Sequence, residues 1–141
     1  MKRIAVIFFL LFASHSAIAE YQPSIDKHPQ KSIETAIPQA ISLLKSKHYD
    51  KLFEQFLLPE ELQKLKSKEQ LEKSLEEFRD SVQPQLLLKS LELAKSKVPK
   101  FNPAITYAVY NFKVDVTDKG SRETYVTIAF RKVGGLWYLD L

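Results

Sequence analysis

The glycine pair Gly134-Gly135 constrains the fold most, because it stands between two stretches of alternating hydrophobicity. Two glycines between strand-like segments are typical of a two-residue β-hairpin turn, which requires positive φ angles. Strand side chains alternate with a period of two, so the turn also determines which residues share a face of the sheet. The predicted cross-strand pairs are Val133–Leu136, Lys132–Trp137, Phe130–Leu139 and Ile128–Leu141.

A further strand is predicted upstream of this hairpin. The segments "AITYAVYNFKVDV" and "ETYVTIAFRKV" both alternate, and "TDKGSR" between them has the composition of a turn. Three antiparallel strands then agree on a single apolar face, which has to be covered. Its predicted members are Tyr110, Phe112, Val126, Ile128, Phe130, Trp137, Leu139 and Leu141.

Residues 32–98 have helical rather than strand periodicity. Pro38 lies within the first apolar series, so that helix either begins near it or is kinked there. Pro59 and Pro84 mark later joints, and Ser67 followed by Gln70 forms a capping-box pattern. The last two stripes are Leu71, Leu75, Phe78 and Val82, and then Leu87, Leu88, Leu91, Ala94 and Val98.

Helices first and a meander last predict an α+β fold. We expect N-terminal amphipathic helices packed on one face of a C-terminal antiparallel meander of about three strands. Residues 32–141 are predicted to form this single domain. Residues 20–31, which are polar and contain two prolines, are predicted to be an extended lead-in.

The beginning of the chain has the three-part pattern of a secretory signal peptide. Lys2 and Arg3 precede an apolar run over residues 4–13, and a small-residue cleavage site ends at Ala19. The run is shorter than the roughly 20 residues that span a bilayer. We therefore expect residues 1–19 to be removed, the mature chain to be periplasmic or secreted, and no membrane insertion after cleavage.

Composition limits the class of partner. The chain contains no cysteine, so an exported domain would have to be held by its core alone, and 45% hydrophobic residues make this feasible. Removal of the signal peptide lowers the net charge from +4 to about +2. This balance does not indicate a nucleic-acid partner.

A lysine pair around a serine occurs three times, at residues 45–47, 66–68 and 95–97. Each copy follows or ends an apolar helical stripe, where the helix dipole favours cations. We interpret the three copies as helix ends. The alternative is that these ends converge on one rim and bind an anion.

Few residues fit a catalytic or metal site. The mature chain has two histidines, His28 and His48, and neither has a partner at ligand spacing. The three glycines of the chain lie in predicted turns, not in a phosphate-binding loop. The strand acids Asp115 and Asp140 are predicted on the face opposite the apolar one, beside basic residues. No catalytic residue, metal or cofactor is expected.

Aromatic residues concentrate on the sheet. The covered face carries Tyr110, Phe112, Phe130 and Trp137. These four form either ordinary core or the wall of a pocket for a small apolar ligand. The opposite face carries Tyr107, Tyr125, Arg131 and Tyr138. A half-apolar open face of this kind suggests contact with a protein partner or with a second copy of the chain.

The segments "AISLLKSKHYDKLFEQFLLPEEL" and "YVTIAFRKVGGLWYLDL" resemble small exported members of the nuclear transport factor 2-like superfamily. The resemblance covers residues 32–141 and implies a cone-shaped α+β fold. Two features depart from the family. Its extra hairpin between early helices has no counterpart in residues 50–98, and the acid, histidine or tyrosine sets of its isomerases and dehydratases have no matching positions on the apolar face. The resemblance therefore implies a pocket or dimer module, not an enzyme.

These observations lead to three hypotheses. The first is an exported, non-catalytic binding module that holds a small apolar ligand or a partner segment between helices and sheet. The second is a partner-recognition or inhibitor protein with a solid core, which uses the open sheet face. The third is a small hydrolase or isomerase using Asp115 or Asp140, and it requires the strand register to shift by one residue.

Overall fold

The computed structural model describes residues 28–116 and 122–141, with side chains over residues 28–113 and 125–141. The predicted signal peptide and residues 20–27 lie outside this part of the chain. A 3-10 helix, Pro29–Lys31, precedes five α-helices in the described part: α1 Ile33–Lys45, α2 Tyr49–Phe56, α3 Pro59–Lys64, α4 Lys68–Arg79 and α5 Gln83–Ala94. No helix in the described ranges combines the length and the apolar character needed to cross a bilayer.

The strands follow the helices, so the predicted α+β class is confirmed. They are β1 Lys100–Phe101, β2 Tyr107–Val116, β3 Arg122–Val133 and β4 Leu136–Asp140. Each strand pairs antiparallel with the next, in the order β1-β2-β3-β4. The short β1 is the addition to the three predicted strands.

The Gly134-Gly135 turn has the predicted geometry. Its φ angles are 57° and 82°, a region that glycine enters without a steric penalty. The pairs Val133–Leu136, Lys132–Trp137 and Phe130–Leu139 form as predicted. The predicted Ile128–Leu141 pair does not form, because β3 and β4 pair only as far as Ala129 and Asp140.

Local capping explains where the helices begin. Ser32 Oγ accepts a hydrogen bond from the backbone N–H of Thr35 at 3.3 Å, so α1 begins well before Pro38, which lies inside it. Ser67 Oγ accepts from the N–H of Gln70 at 3.1 Å and caps α4 as predicted.

Helices α1, α2, α4 and α5 supply the buried side chains that cover the concave face of the sheet, whereas α3 has no buried residue. Ala36 and Ala40 on α1 are fully buried, because small side chains allow close approach to the neighbouring elements. The sheet curls strongly, since the rings of Phe101 on β1 and Trp137 on β4 lie 6.1 Å apart. Three strand spacings in a flat sheet would be roughly 14 Å.

Two positions of the predicted helical stripes are solvent-exposed. Val82 precedes α5 and is 75% exposed, and Val98 follows α5 and is 89% exposed. Both predictions are wrong for the same reason: each residue lies beyond the end of the helix whose stripe it was predicted to extend, by three residues for Val82 and by four for Val98, so helical periodicity no longer determines its direction.

The predicted lead-in differs from the structure at residues 29–31, which form the 3-10 helix and are not extended. Gln30 within it is buried, and its Nε2 donates hydrogen bonds to the backbone oxygens of Gln55 and Trp137. This segment therefore ties α2 to β4 and belongs to the folded domain.

Candidate functional site

The four aromatic residues predicted to contact a ligand lie in the core. Phe130 is fully buried, and Tyr110, Phe112 and Trp137 expose 3–4% of their surface. Tyr110 stacks on Phe112 at 6.1 Å and meets Phe130 edge-on at 6.3 Å, whereas Trp137 contacts Phe101. None of the four lines the pocket beside the end of β4 or the hollow at the end of α1.

A pocket of about 300 Å³ opens where α5 crosses the sheet beside the end of β4. Its walls come from the end of α4, one side of α5, and the strands β3 and β4. The apolar lining residues are Phe78, Leu86, Leu87, Val126, Ile128 and Leu139, with Leu141 at the same place. We call this space the seam pocket.

The turn between α4 and α5 positions two walls of the seam pocket. Ser81 Oγ donates to the backbone oxygen of Phe78 at 2.8 Å and accepts from the N–H of Gln83 at 3.1 Å. One serine thus ends α4 and begins α5. The Phe78 ring is fixed by edge-on contacts with Tyr49 at 5.4 Å and Phe53 at 5.3 Å.

The polar side chains at the seam pocket are largely engaged with the protein. Ser90 is buried, and its Oγ donates to the backbone oxygen of Leu86 at 2.7 Å. The carboxylate of Asp140 accepts a hydrogen bond from Arg131 at 3.1 Å. An apolar group that enters the pocket therefore does not break the hydrogen bonds of Ser90 and Asp140.

The predicted partner-face residues share the outer side of the sheet, and the register brings three of them together. Tyr107 is opposite Arg131, and Arg131 is opposite Tyr138, so the three form one row across β2, β3 and β4. Tyr125 lies six residues away along β3, roughly 20 Å, where it pairs with Lys113. Lys113 Nζ lies 5.5 Å from the Tyr125 ring.

Arg131, in the middle of the row, forms two ion pairs. Its guanidinium donates to Glu60 on α3 at 2.9 Å and to Asp140 at 3.1 Å, and the bond to Asp140, with its negative charge, raises the arginine pKa. The hypothesis of catalysis by a strand acid required a one-residue shift in register, and the observed register has no shift. The side chain of Asp115 lies outside the described residues.

A second hollow, of about 480 Å³, lies where the end of α1 meets the α4–α5 turn. Lys45, Lys47 and Arg79 line it, so two helix ends do converge. However, Lys45 is paired with Glu92 at 2.8 Å, and Arg79 is paired with Asp80 at 3.2 Å. The copies at residues 66–68 and 95–97 do not line this hollow, which favours the interpretation of the lysine pairs as helix ends.

His28 and His48 have local structural partners. His28 Nδ1 accepts from the backbone N–H of Gln30 at 3.2 Å, and His48 Nδ1 lies 3.1 Å from Ser46 Oγ. Within the described residues, no group of three or more His, Cys, Asp or Glu residues could hold a metal ion.

Tyr110 provides a test of burial through pH. Burial raises its pKa to about 12, with a smaller contribution from the negative charge of Glu34. An unfolded chain releases a tyrosine proton near pH 10, so between about pH 10 and pH 12 only the unfolded state loses the Tyr110 proton. We expect the free energy of unfolding to fall across this range, and to fall less in Tyr110→Phe. Urea denaturation at several pH values measures both slopes; equal slopes would contradict the assigned pKa.

The sequence analysis placed most apolar lining residues of the seam pocket on apolar faces, including Val126, Ile128 and Leu139, but it did not predict a pocket among them. The predicted stripes contained Phe78 and Leu87 but assigned them to core. Leu86 was in no stripe, although its position next to Leu87 broadens the apolar side of α5 toward β3. The free space itself has no sequence signal, because it depends on where α5 crosses the sheet.

Comparison of the chain with protein-family models, with curated proteins and with solved structures gave no match. The resemblance to the nuclear transport factor 2-like superfamily therefore stays a prediction.

Proposed function

We propose that the protein is an exported, non-catalytic binding module that holds an apolar ligand or partner segment between its helices and its sheet. The site of binding is the seam pocket, not the aromatic cluster at Tyr110. The observation that carries this proposal is an open, mainly apolar space of about 300 Å³ between α5 and the sheet.

The size and lining of the pocket support an apolar group. Ligand pockets commonly begin at about 300 Å³ and combine hydrophobic walls with a few polar groups. Among the described residues, Asp140 is the one charged side chain that lines the seam pocket, and Arg131 neutralises it. The occupant is therefore uncharged where it enters.

Exposed apolar side chains at the mouth also support binding. Leu86 is 44% exposed and Leu141 is 66% exposed, and both line the pocket. Leaving two large aliphatic side chains in water beside an open apolar space is typical of an interaction site.

Leu86→Arg is expected to weaken binding of an uncharged apolar probe by at least about tenfold, because it places an unpaired charge at the mouth. The probe is the neutral dye N-phenylnaphthylamine, whose fluorescence rises in apolar surroundings. The matched control is Val98→Arg, which adds the same charge at an exposed residue that lines neither hollow. Equal affinity of the two variants, or no dye binding by the unmodified protein, would contradict the proposal.

Recognition of a protein through the open sheet face is a second candidate function. The row Tyr107–Arg131–Tyr138 supports it, because half-buried aromatic rings flank an arginine that is already neutralised. Tyrosine and arginine are enriched at protein interfaces. A partner on this face would leave the seam pocket accessible.

A further inference from the structure

The outer edge of the sheet is protected along β4 but not along β3. At β4, Gln30 Nε2 donates to the backbone oxygen of Trp137 at 3.0 Å, and Leu57 forms a parallel bridge with Leu139. Beyond the Ala129–Asp140 pair, no strand in the described part of the chain pairs with this side of β3. Strand β3 continues there to Arg122, paired with β2 alone.

The direction of the backbone groups on this edge follows from the hairpin. In a two-residue turn, the closing pair Val133–Leu136 exchanges hydrogen bonds, so alternate residues of β3 direct their N–H and C=O toward β4. Lys132 is in the other set, since its N–H donates to Thr106 at 2.7 Å on the β2 side. Thr127 and Tyr125 therefore direct their backbone N–H and C=O to the unprotected edge.

The seam pocket lies directly beside this edge. Val126 and Ile128 on β3 line it from the sheet, and Leu86 and Leu87 line it from α5. A strand added about 4.8 Å from β3 would place every second side chain on the concave side, above these residues. One occupant can thus satisfy the free backbone groups and fill the pocket together.

We propose that the partner at the seam pocket is an extended peptide segment of another protein, which adds to the edge of β3 at Thr127 and Tyr125 and inserts an uncharged apolar side chain into the pocket. This inference rests on the proposed function, because it names the partner of the same site. The backbone N–H and C=O groups of Thr127 and Tyr125 at the edge of β3 can pair with a peptide in the extended conformation of a strand. An uncharged segment fits the pocket best, since Arg131 already neutralises Asp140, the one charged side chain among the described lining residues.

An end-blocked pentapeptide of sequence Val-Thr-Val-Thr-Val is the probe. A strand that continues the path of β4 runs antiparallel to β3. When its valine side chains lie on the concave side and face the pocket, its threonine residues lie opposite Thr127 and Tyr125, and the threonine amides face β3. N-methylation of the threonine amides is expected to raise Kd by at least about tenfold, whereas N-methylation of the valine amides leaves it within about threefold. The two analogues are matched, because they differ only in which amides are blocked.

The protein offers a second pair of matched variants. Thr127→Pro removes one backbone donor at the free edge, where proline is tolerated because the β2–β3 ladder does not use that N–H. Thr127→Ala keeps the donor and also loses the hydroxyl, which bonds to Asn111 at 2.8 Å. We expect the proline variant alone to bind the peptide at least about tenfold more weakly, with an unchanged circular dichroism spectrum as the check on folding.

The outcomes separate this inference from the proposed function. If both methylated analogues bind as well as the parent peptide, or if the peptide fails to bind a protein that still binds the dye, strand addition is wrong and the apolar pocket stands. If neither the dye nor the peptide binds, the proposed function fails as well.

Discussion

Phe130→Ala is expected to lower the free energy of unfolding by about 3–5 kcal/mol. Phe130 is fully buried on the central strand β3, between Ala108 on β2 and Leu139 on β4. Truncation removes the ring from its contact with Tyr110 and leaves a cavity that rigid neighbouring strands cannot close. Urea denaturation of the purified variant measures the change.

Tyr125→Ala is the matched control, since it truncates an aromatic ring on the same strand. Tyr125 is 69% exposed, so its loss is expected to change the stability by less than about 1 kcal/mol. If Phe130→Ala cost no more than this control, Phe130 would border a space that the fold leaves unfilled, and its assignment to the core would be wrong.

Gln30→Ala is expected to lower the free energy of unfolding by about 2–4 kcal/mol, because two backbone carbonyl oxygens in a buried region lose their hydrogen-bond donor. The Gln30 side chain donates to the backbone oxygens of Gln55 and Trp137 and is 97% buried, given an exposed fraction of 3%. No apolar side chain of similar size restores these bonds. The variant is therefore expected to loosen both α2 and the outer edge of β4.

Gln85→Ala is the corresponding control, because Gln85 is exposed on α5. Its expected effect is within about 0.5 kcal/mol. Denaturation curves for the two variants, together with hydrogen exchange at β4, test the difference. A Gln30 variant as stable as the Gln85 variant would show that residues 29–31 are not part of the cooperative fold.

The strand register could be predicted from the sequence because several independent signals agree. The Gly134-Gly135 turn and the alternation on either side of it allow only one pairing that keeps the apolar residues on one face. The Phe130–Leu139 pair follows from this directly. The helix start at Ser67 was predictable for a similar reason, since a capping residue and an apolar stripe coincide there.

Gln30 and the seam pocket could not be predicted in this way. Gln30 bonds to the backbone of a residue 107 positions away, and such a bond has no periodic pattern. The seam pocket depends on the crossing of α5 over β3, which small differences in packing determine. Val82 and Val98 show the same limit on a smaller scale, because Val82 lies three residues beyond the end of α4 and Val98 lies four residues beyond the end of α5.

The four aromatic residues on the concave face show why the fold could be predicted from the sequence and the binding site could not. Their common face followed from alternation, and the structure places all four in the core. Whether a covered face also borders empty space depends on side-chain volumes from several helices together. The approach of Lys132 to the Trp137 ring, at 5.6 Å, follows from their predicted cross-strand pair, whereas the approach of Lys97 to the Phe112 ring, at 5.7 Å, had no sequence signal.

Native mass spectrometry of the protein, expressed in a bacterial host and purified without refolding, tests the central claim most directly. We predict a bound mass that disappears on denaturation, is retained in Val98→Arg and is absent in Leu86→Arg. The same spectra separate monomer from dimer. A ligand-free mass in all three proteins would contradict binding at the seam pocket, and a ligand-free dimer would transfer the function to the open face that carries Tyr107, Arg131 and Tyr138.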